Sequence, residues 1–325
     1  MSTKTSPENS SDREIVISRT FEAPRELVWE AMTNPKHVVN WWGPRGFSTT
    51  IEHMDVRPGG SWKHTMRGPD GTNYPNKSVF KEVVKPERIV YSHGGGREDG
   101  PGASFVATWL FEAVSETKTQ VTIRMVFPTT EARDFVIKEF GAVEGGKQTL
   151  MRLSEHLAAA QSRPFIITRE FDAPRDLVWK AWTEPERFLQ WFGPKGATTT
   201  IRKMDFQPGG MLHYSQRMPD GRELWGKAAY REIVPPVKIV WVNSFSDKDE
   251  GTARHPLTTE LWPLFLLTEV TFSERNGKTS VTIKWLPLDA TEEERKVFDS
   301  RLDSMNQGWG GTLDQLTAYL AKTKS

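Results

Sequence analysis

The sequence predicts an α+β fold built twice in tandem, each copy a curved antiparallel sheet with two short helices and one long closing helix enclosing a cavity. Three observations predict it. Residues 19–91 align without a gap on residues 169–241, with 33 identities in 73 positions, and a period of 150 residues marks a duplicated domain, since solenoid repeats are several times shorter. Runs of apolar–polar alternation separated by Pro-Gly-Gly and Pro-Asp-Gly turns read as half-buried strands. Each copy then closes on leucines at helical spacing: Leu150, Leu153 and Leu157, then Leu313, Leu316 and Leu320.

The elements follow in order. "EIVISRTF" and its counterpart "FIITREF" alternate and stop at Ala-Pro, as a strand does before a helix. "PRELVWEAMT" places Leu27, Val28 and Met32 on one side of a short helix that Pro35 ends. A second short helix carries Val38, Val39, Trp41 and Trp42 and breaks at Gly43-Pro44. Residues 47–127 form a meander of strands. Thr291 with Glu294 three residues on is a capping box announcing the last helix. One helix across a strongly curved sheet covers it incompletely and leaves a hollow. The expected bounds are a disordered tail at 1–12, a first domain at 13–160 and a second at 164–325.

Composition narrows the function. Lys and Arg number 43 against 42 Asp and Glu, so no net field attracts nucleic acid or an anionic membrane, and neither is an expected partner. There is no cysteine, which removes disulfides, thiolate metal sites and a cysteine nucleophile. The polar start "MSTKTSPENSSD" lacks a signal peptide's apolar core, and no apolar run is long enough to span a bilayer. A cytoplasmic protein is expected.

No catalytic set, metal site or cofactor site is expected. "HGGG" at 93–96 has the form of an esterase oxyanion loop, but the chain has no Gly-x-Ser-x-Gly elbow; it reads as a mobile glycine loop. His53 and Asp55 share a strand face, yet the repeat puts Lys203 and Asp205 there. Binding of a hydrophobic or aromatic small molecule is the expected function. On the strand after Pro-Gly-Gly, Trp62, His64 and Met66 share one face, as do Leu212, Tyr214 and Gln216, and bulky apolar residues with a few polar ones suit a cavity. Trp41 and Trp191 either pack the Gly-Pro corner or rim the hollow; Tyr91 and its counterpart Trp241 join the candidate lining. Aligned by leucines, Gly146 takes the place of the second copy's Trp309: if that stripe faces the hollow the first cavity is the roomier, and otherwise Gly145-Gly146 marks a helix break or a close packing contact. Ten extra residues in the second copy, including "HPLTTELWPLFL" with Trp262, are an expected lid.

Ala23-Pro24 with Trp29, Trp41 with Gly43, Pro58-Gly59-Gly60, Pro69-Asp70-Gly71, Glu82, Pro86 and their partners 150 residues on carry a resemblance. The sequence resembles the START-like (SRPBCC), helix-grip superfamily, and within it the homologues of the C-terminal domain of the heat-shock protein 90 ATPase activator. That resemblance implies helix-grip domains with a ligand cavity. It also implies an alternative, a co-chaperone or regulatory module of the stress response with a chaperone as partner. The activators themselves carry a separate N-terminal domain with an Asn-rich, Trp-His-Trp signature that this sequence does not show. An enzyme is not expected.

Overall fold

The computed structural model describes residues 11–98, 100, 102–256 and 261–323. Residues 1–10 of the expected tail and 257–260 of the expected lid lie outside the described residues. The chain divides after Leu157 into two compact units.

The first unit runs β1 (Glu14–Phe21), α1 (Arg25–Thr33), α2 (Pro35–Trp41), β2 (Ser48–Met54), β3 (Ser61–Arg67), β4 (Asn73–Val84), β5 (Arg88–Gly96), β6 (Gly102–Ser115), β7 (Lys118–Val126), α3 (Thr130–Phe140) and α4 (Ala142–Gln161). Its seven strands are antiparallel in the order β1-β7-β6-β5-β4-β3-β2. Register shifts at Ile51/His53 and Phe80/Glu82 mark bulges, which add twist and bend the sheet. Asn34 ends α1 and starts α2: its side chain accepts from the Lys36 amide at 3.0 Å, and Pro35 occupies the first helical position. Leu150, Leu153 and Leu157 of α4 are buried against Phe21, Trp29, Trp41, Phe80 and Phe111.

The second unit repeats this plan as β8 (Phe165–Phe171), α5 (Arg175–Thr183), α6 (Pro185–Phe188), β9 (Thr198–Met204), β10 (Met211–Arg217), β11 (Glu223–Val234), β12 (Lys238–Ser246), β13 (Thr252–Ala253), β14 (Phe265–Arg275), β15 (Lys278–Leu288), α7 (Glu292–Ser300) and α8 (Leu302–Thr323). The strand order β8-β15-β14-β12-β11-β10-β9 matches the first sheet, with β13 added beside β12.

The repeated aromatic-Gly-Pro-basic-Gly stretch is a corner built the same way twice. The Trp41 indole donates to the Ala31 carbonyl at 2.9 Å, and Trp191 donates to Ala181 at 2.9 Å. Thr49 and Thr199 donate to the carbonyls of Trp42 and Phe192. Gly43 and Gly193 turn the chain at φ +102° and +129°, backbone that side-chain-bearing residues rarely adopt. The closing helix holds the corner: Arg152 donates to the Gly43 carbonyl at 2.9 Å, and Gln315 to that of Gly193 at 2.6 Å.

Two readings change here. Each closing helix is preceded by a separate one, α3 capped by Thr129 and α7 by the Thr291–Glu294 box, so that box starts α7 and not the closing helix. The break after α3 is Gly141 in the left-handed region at φ +57°. "HGGG" is not a loop: His93 to Gly96 lie in β5, with His93 to Gly95 paired on both sides, Gly94 opposite Lys77 and Ser104.

Candidate functional site

A cavity of about 660 Å³ lies inside the second unit, between the concave face of its sheet and α8. Strand alternation supplies one wall, with Leu212, Tyr214 and Gln216 from β10, Gly226, Ala228 and Tyr230 from β11, and Trp241 and Asn243 from β12. Trp309 and Met305 of α8 form the opposite wall. Phe192 comes from the Gly-Pro corner and Trp182 from α5, while Trp262 and His255 close one side from the segment between β13 and β14.

The walls are largely rings. Trp309 stacks 6.3 Å from Trp182 at 12° and stands 5.5 Å from Trp285, while Phe192 meets Tyr214 edge-on at 5.3 Å. Among the described residues none of the lining is Lys, Asp or Glu; Arg301 and His255 are its basic members. The polar groups are chiefly neutral donors. The Tyr214 and Tyr230 hydroxyls have no hydrogen-bond partner among the described residues. Loss of solvent pushes the Tyr214 phenol up to about 12 and Tyr230 higher still, so both remain protonated donors near neutral pH. Thr268 donates to Asn243 Oδ1 at 2.5 Å, which fixes the amide and leaves its N–H₂ end without a protein acceptor among the described residues. Such a cavity can hold a flat apolar body and offer hydrogen bonds to a few oxygen acceptors.

The residues singled out in the sequence fall in three places. Leu212, Tyr214, Trp241, Trp262 and Trp309 line this cavity. Trp41 and Trp191 do not: at 1% and 2% exposure, with their indole N–H groups satisfied by backbone, they pack the corner instead of rimming a mouth. Trp62, His64 and Tyr91 form a packed interior in the first unit. Trp62 stacks on His64 at 4.2 Å, Trp42 lies 4.8 Å from Trp62 and donates to His64 Nε2 at 3.1 Å, and Tyr91 stands 5.4 Å from Trp109. Met66 sits against the turn at Gly43.

The expectation of a roomier first cavity fails at its own residue. A Cβ at Gly146 would overlap Ile17 Cδ1; the glycine admits a strand side chain and leaves no void. Trp309, expected to fill the second hollow, is one of its walls. The larger difference lies elsewhere: strand register puts Val270 where the first unit has Trp109, and Leu212 replaces Trp62. Sequence reading missed Trp182, Phe192, Tyr230, Asn243 and Trp285. The signal for Trp285 was present, since Val281, Ile283 and Trp285 alternate on one strand face.

A family model described as "Activator of Hsp90 ATPase homolog 1-like protein" matches residues 22–158 and again 172–321. No curated protein matches the chain. Among solved structures, a protein from Mycobacterium smegmatis is 25% identical over 48% of this chain and 90% of its own, with a TM-score of 0.40. One from Nitrosomonas europaea is 26% identical over 46% of this chain and 97% of its own, TM-score 0.40. The di-domain ARO/CYC (aromatase/cyclase) BexL from the BE-7585A biosynthetic pathway spans 95% of this chain and 98% of its own at 15% identity, TM-score 0.43. This last match corrects the expectation that the chain is not an enzyme, because an enzyme extends over nearly its whole length. At that identity nothing of BexL's reaction passes to this chain.

Proposed function

The chain belongs to the Activator of Hsp90 ATPase homolog 1-like family, and from that membership and the cavity we propose that its second domain binds a flat, largely apolar small molecule bearing one or two oxygen acceptors. The observation that carries the reading is the ring-walled space of about 660 Å³, within the ~300–1,000 Å³ common for small-molecule sites. Aromatic walls favour ring systems through offset and edge-on contacts. Tyr214, Tyr230 and Asn243 orient the ligand by donating to its oxygens, and the scarcity of charge among the lining residues favours a neutral one. The co-chaperone alternative rests on the family's name, and no geometry described above favours it.

Calorimetric titration of the full chain with 2-naphthol and 1,8-dihydroxyanthraquinone, with lauric acid for comparison, tests the reading. The expected result is saturable binding of the ring compounds, weakened at least tenfold by Leu212→Trp, which installs the first domain's residue in the cavity. No binding by any probe, or no effect of Leu212→Trp, overturns it.

A further inference from the structure

In the first domain His37 of α2 and His156 of α4 face each other, with Nδ1 and Nε2 2.9 Å apart and the rings edge-on at 71°. Both side chains are partly exposed. The second domain has Arg187 and Tyr319 at the equivalent places: Arg187 lies 150 residues beyond His37, and Tyr319 follows Leu313 by six residues as His156 follows Leu150. There Arg187 Nη1 donates to the Tyr319 hydroxyl at 3.2 Å. The same helix-to-helix contact is therefore made in one copy by a pair that cannot hold a metal and in the other by two imidazoles. Bracing alone does not call for histidine.

Nor does the first domain depend on the pair for bracing. Arg152 of α4 donates to the carbonyls of Asn40, Gly43, Pro44 and Phe47 at 2.9–3.2 Å. Arg45 makes an ion pair with Glu155. These contacts hold the end of α2 and its corner against α4, so the two imidazoles are preset on a fixed frame.

We propose that His37 and His156 form a two-histidine site for a divalent transition metal that favours right-angled coordination, Cu(II) before others. Two nitrogens each ~2.0–2.1 Å from a metal and at a right angle are about 2.9 Å apart, whereas a tetrahedral ion sets them about 3.3 Å apart. The hydrogen-bonded separation of 2.9 Å is close to the right-angled one, so an ion of that geometry is taken up when the rings turn their lone pairs toward it, without the nitrogens moving apart. Imidazole is a suitable ligand for copper and nickel, and Cu(II) heads the affinity order for divalent first-row ions. The proton now shared between the rings moves to the far nitrogen of its own ring, so the metal displaces the hydrogen bond without net proton loss. Among the described residues no group of three or more His, Cys, Asp or Glu is placed to hold a metal, so water completes the coordination and the site remains open to exchange.

The test is titration of the untagged full chain with CuCl₂ in a non-coordinating buffer, by calorimetry and by electron paramagnetic resonance of the bound ion. The expected result is one tight equivalent, with hyperfine structure from two nitrogens. His37→Arg with His156→Tyr copies the second domain's own pair, preserves the contact, and is expected to weaken that equivalent at least tenfold with an unchanged circular dichroism spectrum. Should that pair of changes unfold the domain, His156→Gln alone removes one ligand and reduces the nitrogen signal to one. The chain has seven histidines; unchanged affinity and spectrum in both variants would assign the copper elsewhere and overturn the proposal, as would a parent protein that takes up none.

Discussion

Tyr214 and Gly226 stand opposite each other across β10 and β11, and a Cβ built on the glycine would come within 2.6 Å of the phenol's Cζ and hydroxyl oxygen. The glycine is the seat on which the cavity's central donor rests. In the first domain the same cross-strand position pairs His64 with Asn76, so the seat belongs to the second domain's site. Gly226→Ala is expected to turn the phenol into the cavity. It should lower stability by roughly 1–3 kcal/mol, the usual cost of overpacking, and weaken 2-naphthol binding at least tenfold. Tyr214→Phe, which removes only the hydroxyl, should leave the thermal midpoint nearly unchanged; a larger loss there than in Gly226→Ala contradicts the seating argument.

His64 gives the first domain an acid sensitivity. Burial, and secondarily the neighbouring His93, push its pKa down to about 3, and burial pushes His93 down to about 4. The folded values lie below the unfolded ones. The stability that depends on neutral rings is therefore fully present above about pH 6.5 and is lost as pH falls toward 3–4. Each pKa unit corresponds to about 1.4 kcal/mol, so several kcal/mol are at stake. Protonation also ends the bond from the Trp42 indole. Hydrogen exchange of β3–β5 peptides between pH 7 and pH 4 should show progressive loss of protection after correction for intrinsic rates. His64→Phe should flatten that dependence, and an equally steep loss in the variant would rule the assignment out.

Glycines in the two closing helices are expected to respond in opposite directions to the same change. At Gly146 the space belongs to Ile17, whereas a Cβ at Gly310 meets nothing within 4 Å. Gly146→Ala should destabilise by roughly 1–3 kcal/mol despite its better helix propensity. Gly310→Ala should stabilise by up to about 1 kcal/mol, the propensity gain alone. Urea denaturation of the two single variants checks the signs, and a stabilised Gly146→Ala would mean that a void lies there after all.

We also propose domain bounds of 13–160 and 164–325. A broad-specificity protease at low dose should release two stable fragments cut at 158–164, measured by intact mass. Cleavage confined to other sites argues for a different boundary.

Much of this molecule is written in local signals. The 150-residue repeat, the Ala-Pro that ends β1 and β8, the alternation that sets Leu212 beside Tyr214 on one strand face, and the leucine spacing of α4 and α8 are each readable within a short window. Backbone geometry and side-chain periodicity act over a few residues. What the tertiary structure decided is which side chains share one volume. Gly146 looked like an opening because its occupant, Ile17, lies far away in sequence on β1. Trp309 looked like a filler until Trp182 and Trp285 proved to stand with it as walls. His37 and His156, 119 residues apart, carry no spacing that links them. A cavity, and likewise a pair of ligands, is fixed by packing between distant segments, and that information is absent from any single stretch of the chain.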